Sequence, residues 1–112
     1  MSKFIKVAQT TDFKIKKYHC FKYLTKHIAV FKRKDGSFYA IEASCKHQNA
    51  FLLSEGLAEK TVFCPRHGWE YDMETGECFT EPWAYLRKFP LKIDDHNIYV
   101  DVLSPIEPEE KF

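Results

Sequence analysis

The sequence predicts an all-β, antiparallel domain in which one long insertion, roughly residues 43–85, carries two loops. Three observations support this. Apolar and polar residues alternate over short runs, and the 3.6-residue spacing of amphipathic helices is scarce. Turn signals, among them Lys34-Asp35-Gly36, Glu74-Thr75-Gly76 and Asp94-Asp95-His96, punctuate the runs. Finally, 112 residues with 45% hydrophobic and 29% charged side chains have the composition of one soluble globular domain rather than a disordered chain.

In chain order, residues 4–8, 13–17, 20–24, 27–32 and 37–42 read as strands, the last two joined by the Asp35-Gly36 hairpin turn. Within the insertion, 69–72 and 77–79 alternate around Glu74-Thr75-Gly76. Residues 86–93 and 97–102 then flank Asp94-Asp95-His96, so a single domain is expected over 1–104, with 105–112 a flexible tail. Ten Phe, six Tyr and two Trp predict an aromatic core. At this length a core can form alone, although a metal is a common supplement.

Charge and targeting narrow the classes. Residues 1–46 hold eleven Lys or Arg against three acids (+8), whereas 47–112 hold six against thirteen (−7). The basic residues are spread through alternating strands, so they read as solvated strand faces and not as a nucleic-acid surface. No apolar run approaches the ~18 residues of a membrane span, and the amino-terminal MSKFIKVAQTTDF lacks an apolar signal segment. The expected location is the cytoplasm, with neither membrane nor nucleic acid as partner. There Cys20, Cys45, Cys64 and Cys78 favour metal ligation over disulfides.

The stretch CKHQNAFLLSEGLAEKTVFCPRH contains Cys45-Lys46-His47 and, after sixteen residues, Cys64-Pro65-Arg66-His67. One thiol and one imidazole on each of two loops can form a tetrahedral zinc site. They can equally divide a two-iron cluster, thiolates on one iron and imidazoles on the other. Residue chemistry alone leaves both open.

C-x-H followed by C-x-x-H, continued by His67-Gly68-Trp69-Glu70-Tyr71-Asp72 and Thr75-Gly76-Glu77, resembles the Rieske-type ferredoxins over essentially the whole chain. Zinc fingers instead tend to pair cysteine with cysteine and histidine with histidine. The resemblance implies a β-sandwich base with a small cluster-binding subdomain of two loops. It also implies one [2Fe-2S] cluster, with Cys45 and Cys64 on the inner iron and His47 and His67 on the outer. Two ferric ions, two sulfides and two thiolates sum to zero charge, which makes reduction easier than with four thiolates. In high-potential members of cytochrome bc-type complexes a disulfide ties the loops and a serine follows the second motif's glycine; Ala50, Arg66 and Trp69 stand at those places here. The implied midpoint lies in the lower part of the Rieske range, below about 0 mV, and falls at alkaline pH as ligand imidazoles deprotonate.

Pro65 and Gly68 are expected to shape the second loop, and Asn49 replaces a glycine frequent in the family. Phe51, Leu52 and Glu81-Pro82-Trp83-Ala84, which resembles the family's proline loop, are expected to cover the cluster; Gln48 has no evident chemical role. Trp69 and Tyr71 read as core packing, Glu70 and Asp72 as a solvated strand face, Cys20 and Cys78 as buried thiols, and His19, His27 and His96 as sheet or surface histidines. The resulting expectation is a monomeric one-electron carrier that meets a flavin-dependent reductase and a terminal oxygenase transiently. It has no room for an oxygenase's mononuclear iron domain and so is not itself an enzyme. The alternatives are a small subunit of a larger redox enzyme, such as a nitrite reductase, and a structural zinc module with two Cys and two His ligands.

Overall fold

The structure, a computed structural model, describes residues 2–14, 17–24, 26–44, 51–53, 61–64, 68–81 and 83–106. Among these residues the strands are β1 (Phe4–Gln9), β2 (Tyr18–Tyr23), β3 (Lys26–Lys32), β4 (Phe38–Glu42), β5 (Thr61–Phe63), β6 (Glu70–Asp72), β7 (Lys88–Phe89), β8 (Leu91–Asp94) and β9 (Asn97–Asp101). They form three antiparallel sheets, ordered β1-β9-β8, β2-β3-β4-β7 and β5-β6.

The four-stranded sheet lies in the middle, and its alternating side chains feed two cores. From β3 and β4, Ile28, Val30 and Ala40 join Ala8, Phe13, Phe89, Ile98 and Val100 in the core shared with the three-stranded sheet. Their neighbours Ala29, Phe31 and Ile41 join Leu52, Val62, Tyr71 and Met73 in the core under β5-β6. The register pairs Val30 with Ala40 and Ala29 with Ile41, which keeps the two sets on opposite faces. Hence Ile28-Ala29-Val30-Phe31 is buried at every position instead of alternating. The expected sandwich base with a small two-loop subdomain is this arrangement.

Some elements differ from the sequence reading. In place of the start of a strand over 13–17, Thr10–Phe13 form a 3-10 turn in which the Asp12 carboxylate accepts the Gln9 N–H at 2.9 Å. Phe13 is thereby driven into the base core, edge-on to Phe38 at 5.0 Å. The run 86–93 is divided at Pro90, which cannot donate to a ladder. Its first half, β7, completes the middle sheet and its second half, β8, belongs to the three-stranded one. Residues 77–79 make only isolated bridges, Tyr71 to Cys78 and Glu77 to Tyr85. The three-residue β5 was not anticipated. At the carboxyl-terminal end the Ile106 N–H donates to the Lys88 carbonyl at 2.6 Å, and the rest of the expected tail lies outside the described residues.

Asp72, expected on a solvated face, is buried. Its Oδ1 accepts the N–H groups of Glu74 (2.8 Å) and Thr75 (3.1 Å), which folds the turn after β6. The turn is clamped from below, because the Tyr39 hydroxyl donates to the Met73 carbonyl at 2.9 Å. Burial and the Glu74 carboxylate push the Tyr39 hydroxyl up to about 12, so it stays a donor at all ordinary pH. Gly76 ends the turn at φ 87, and a Cβ there would stand 2.3 Å from the Leu86 carbonyl oxygen. Glycine is required twice over, by backbone sign and by space.

Two expectations follow. Gly76→Ala should lose about 2–4 kcal/mol in urea unfolding, left-handed strain and overpacking together. Gly36→Ala, at φ 93 with nothing near its Cβ, should lose only about 1–2 from strain; equal losses would show that the Leu86 contact is immaterial. The second concerns Asp101, where burial opposes ionisation but the Lys3 N–H (2.8 Å) and Leu103 N–H (3.1 Å) outweigh it and hold the carboxyl below its usual range. That stabilisation is complete above the ordinary carboxylate pKa and disappears as pH falls through the lowered one. Wild type and Asp101→Asn should therefore differ in stability at pH 7, and the gap should begin to close only below about pH 4 and vanish as pH falls through the lowered pKa; parallel curves would contradict this.

Candidate metal centre

Two short loops leave the middle of the structure and return almost to their starting points. The first continues β4: the Ala43 N–H donates to the His27 carbonyl (2.8 Å), Ser44 bridges Phe51, and the Leu52 N–H returns to the Ala43 carbonyl (2.8 Å). The intervening residues, 45–50, include Cys45, His47, Gln48, Asn49 and Ala50, which lie outside the described residues. The second loop leaves β5 at Cys64, whose N–H donates to the Trp69 carbonyl (2.7 Å) while its own carbonyl accepts the Gly68 N–H (2.9 Å). Gly68 takes φ 76 with open space around its Cβ position, so backbone sign alone demands glycine there. Pro65, Arg66 and His67 lie outside the described residues, as does Pro82.

Both roots grow from one core. Ala43, Leu52 and Leu53 of the first loop pack with Val62 and Cys64 of the second, and Phe51 and Trp69 lean on the same cluster. Cys64 is 2% exposed. A buried thiol beside apolar side chains, at the root of a turn closed by main-chain hydrogen bonds, suits a soft metal ligand held in a fixed position. The described part of the centre therefore fits an iron-sulfur group. Fewer than three candidate ligands come together among the described residues, because Cys45, His47 and His67 fall outside them.

The remaining candidates make other contacts among the described residues. Cys78 is buried and its Sγ accepts the Glu81 N–H at 3.4 Å; Cys20 is only half-buried, and neither forms a disulfide. His27 packs its ring on Phe51 at 4.6 Å, and burial, with help from Lys22, lowers its pKa, so it is neutral at pH 7. His19 lies on β2 and His96 in the turn before β9, at φ 69. Tyr71 is wholly buried core, as expected, while Trp69 is half-buried and meets Trp83 edge-on at 5.8 Å. Ser44 was missed by the sequence reading. It is buried, its Oγ accepts the His27 N–H at 3.0 Å, and it immediately precedes Cys45. A lone serine at a strand end gives no signal of that role.

A small β sandwich with two short loops rooted on one core, one of them holding a buried thiol, has the frame of a metal-binding β domain. Comparison with known proteins gives the family. The Rieske [2Fe-2S] domain profile matches residues 3–90, and the chain belongs to that family. It is 38% identical over 81 residues to a 3-phenylpropionate/cinnamic acid dioxygenase ferredoxin subunit of Photorhabdus laumondii, covering 70% of this chain and 75% of that one. Among solved structures, one chain from a complex of reduced oxygenase and oxidised ferredoxin in carbazole 1,9a-dioxygenase superposes with TM-score 0.71 at 25% identity, over 93% of this chain and 97% of that one. A candidate NADH-dependent nitrite reductase small subunit from Mycobacterium tuberculosis shares the fold, with TM-score 0.68 at 15% identity over 93% and 98%. The protein thus carries one [2Fe-2S] cluster and is an electron carrier, not a catalyst.

Ser44→Ala leaves the part-buried His27 N–H without this acceptor and should lower stability by about 1 kcal/mol. The His27 amide should then exchange faster with solvent. Unchanged stability and exchange would mean that Ser44 does not fix the root of the first loop.

Proposed function

We propose that Cys45 and Cys64 hold one iron of the cluster and His47 and His67 the other. We further propose that the protein is a monomer carrying single electrons in the cytoplasm from a flavin-dependent reductase to a terminal oxygenase. The observation that carries this reading is the common root of the two loops, with the Cys64 thiol buried between them. The cluster supplies a site that takes and releases one electron without bond making at the protein. The chain's own residues would hold it in place: Ser44 and Ala43 anchor one loop, and the Cys64-Trp69 and Gly68-Cys64 hydrogen bonds close the other. The dioxygenase ferredoxin relative and the oxygenase-ferredoxin complex support an oxygenase as the electron acceptor. Thiols at Cys20 and Cys78 that form no disulfide support a reducing compartment.

A redox titration should give a midpoint below about 0 mV, in the lower part of the Rieske range. A clearly positive value would contradict the low-potential assignment. Removing the cluster should abolish hydrogen-exchange protection over residues 43–69, while β1, β8 and β9 keep theirs. Protection retained throughout would refute the view that metal ties the loops together. On a light-scattering column the holoprotein should elute as a 13.3 kDa monomer; a large subunit that stays bound would replace the carrier reading with that of a permanent subunit.

A further inference from the structure

The outer face of the cluster-bearing subdomain carries an aromatic row. Val62, Tyr71 and Cys78 are buried, so their chain neighbours Phe63, Glu70 and Phe79 point the other way. Phe63 pairs with Glu70 across β5-β6, and the Phe79 N–H donates to the Glu70 carbonyl at 2.9 Å. The three side chains therefore line up across β5, β6 and the bridged segment beside β6. Phe63 is 58% exposed and Phe79 48%. Trp83, 65% exposed, stands edge-on to Trp69, the residue before Glu70, and its indole N–H donates to Glu81 Oε1 at 3.1 Å. A tryptophan fixed by a hydrogen bond and a ring contact, yet turned to water, is a preorganised interface anchor, because little side-chain freedom is left to lose on binding.

Two acids belong to this row: Glu70 lies within it, and Glu81 accepts the Trp83 indole N–H. Among the described residues between 61 and 86, Glu70, Asp72, Glu74, Glu77 and Glu81 are charged, and Lys and Arg are absent. Lys3, Lys6, Lys22, Lys26, Lys32 and Lys92 sit on or beside the strands of the two larger sheets, whereas Arg33 and Lys88 stand over the Tyr39 ring, Lys88 within electrostatic reach of Glu74 and Asp72. Among the described residues, 61–86 thus carry net negative charge, partly offset at the Glu74 turn by Arg33 and Lys88.

We propose that the Phe63-Glu70-Phe79 row, with Trp83 and Glu81, docks the electron-accepting protein, whose contact surface is apolar at its centre and ringed by Lys and Arg. The proposal rests on the electron-carrier reading and adds the partner's chemistry to it. Phe63 directly precedes Cys64, so a partner seated on this face borders the metal centre. The acidic rim steers and orients the encounter, and the aromatic side chains hold it once water is expelled.

The test uses ferric cytochrome c, a lysine-ringed protein with an exposed haem edge, as the probe, titrated calorimetrically into the oxidised holoprotein. At low ionic strength Glu70→Lys should weaken the dissociation constant about tenfold and flatten its salt dependence. Asp94→Lys, the same charge change at the exposed end of β8, should alter it less than about twofold. Trp83→Ala should weaken binding even at about 0.15 M salt, where charges are largely screened. Each variant is first checked for the reduced cluster's paramagnetic resonance. Its absence from wild type would defeat the carrier reading itself. An intact cluster with equal effects of Glu70→Lys and Asp94→Lys, or with no effect of Trp83→Ala, would overturn the docking face alone. Sedimentation revealing a dimer that Glu70→Lys disperses would assign the face to a second copy and overturn it as well.

Discussion

The middle sheet has no solvent face over most of β3 and β4, and the rest of the structure follows from that. Each strand sends alternate side chains to opposite cores, so Ile28 and Val30 fasten the base while Ala29 and Phe31 fasten the subdomain above it. An antiparallel sheet usually keeps one face wet; here two-sided burial makes one sheet serve two layers. The first loop is the direct continuation of β4. Its geometry is therefore tied to the packing of the entire molecule.

Main-chain hydrogen bonds, rather than long side-chain networks, set the loop roots. Ala43, Leu52, Cys64 and Trp69 each contribute a peptide group to closing a loop, and Ser44 adds a buried hydroxyl. Main-chain closure limits how far a ligand's Cα can wander, and left-handed Gly68 bends the second turn in the sense that closure requires. The turn after β6 is built the same way, with Asp72, the Tyr39 hydroxyl and Gly76 holding Leu86 against it. A fixed frame of this kind suits electron transfer, in which the site exchanges an electron without moving atoms far.

Alternation made β9 legible from sequence, because Ile98 and Val100 recur at period two, and the Asp35-Gly36 turn marked where β4 follows β3. It failed where a side chain answered to the local backbone. Asp12 folds back onto the Gln9 N–H and Asp72 onto those of Glu74 and Thr75, and a hydrophobicity pattern registers neither. Pro90 was visible in the sequence, but that the chain changes sheets at it depends on packing partners far along the chain. The Rieske motif was the most legible part, since it is carried by residue type and spacing. Its support was not: Ser44 reaches a peptide group on β3, seventeen positions earlier, and the exposure of Trp83 depends on its contacts with Glu81 and Trp69.

Division of the ligands between two thiolates and two imidazoles is the central claim, and paramagnetic resonance of the anaerobically purified, dithionite-reduced protein tests it most directly. The account predicts a brown protein whose reduced form has the low average g value of a histidine-ligated [2Fe-2S] centre and couplings from two imidazole nitrogens. The higher average g of an all-cysteine cluster, or a colourless protein containing zinc after reconstitution with iron and sulfide, would contradict it.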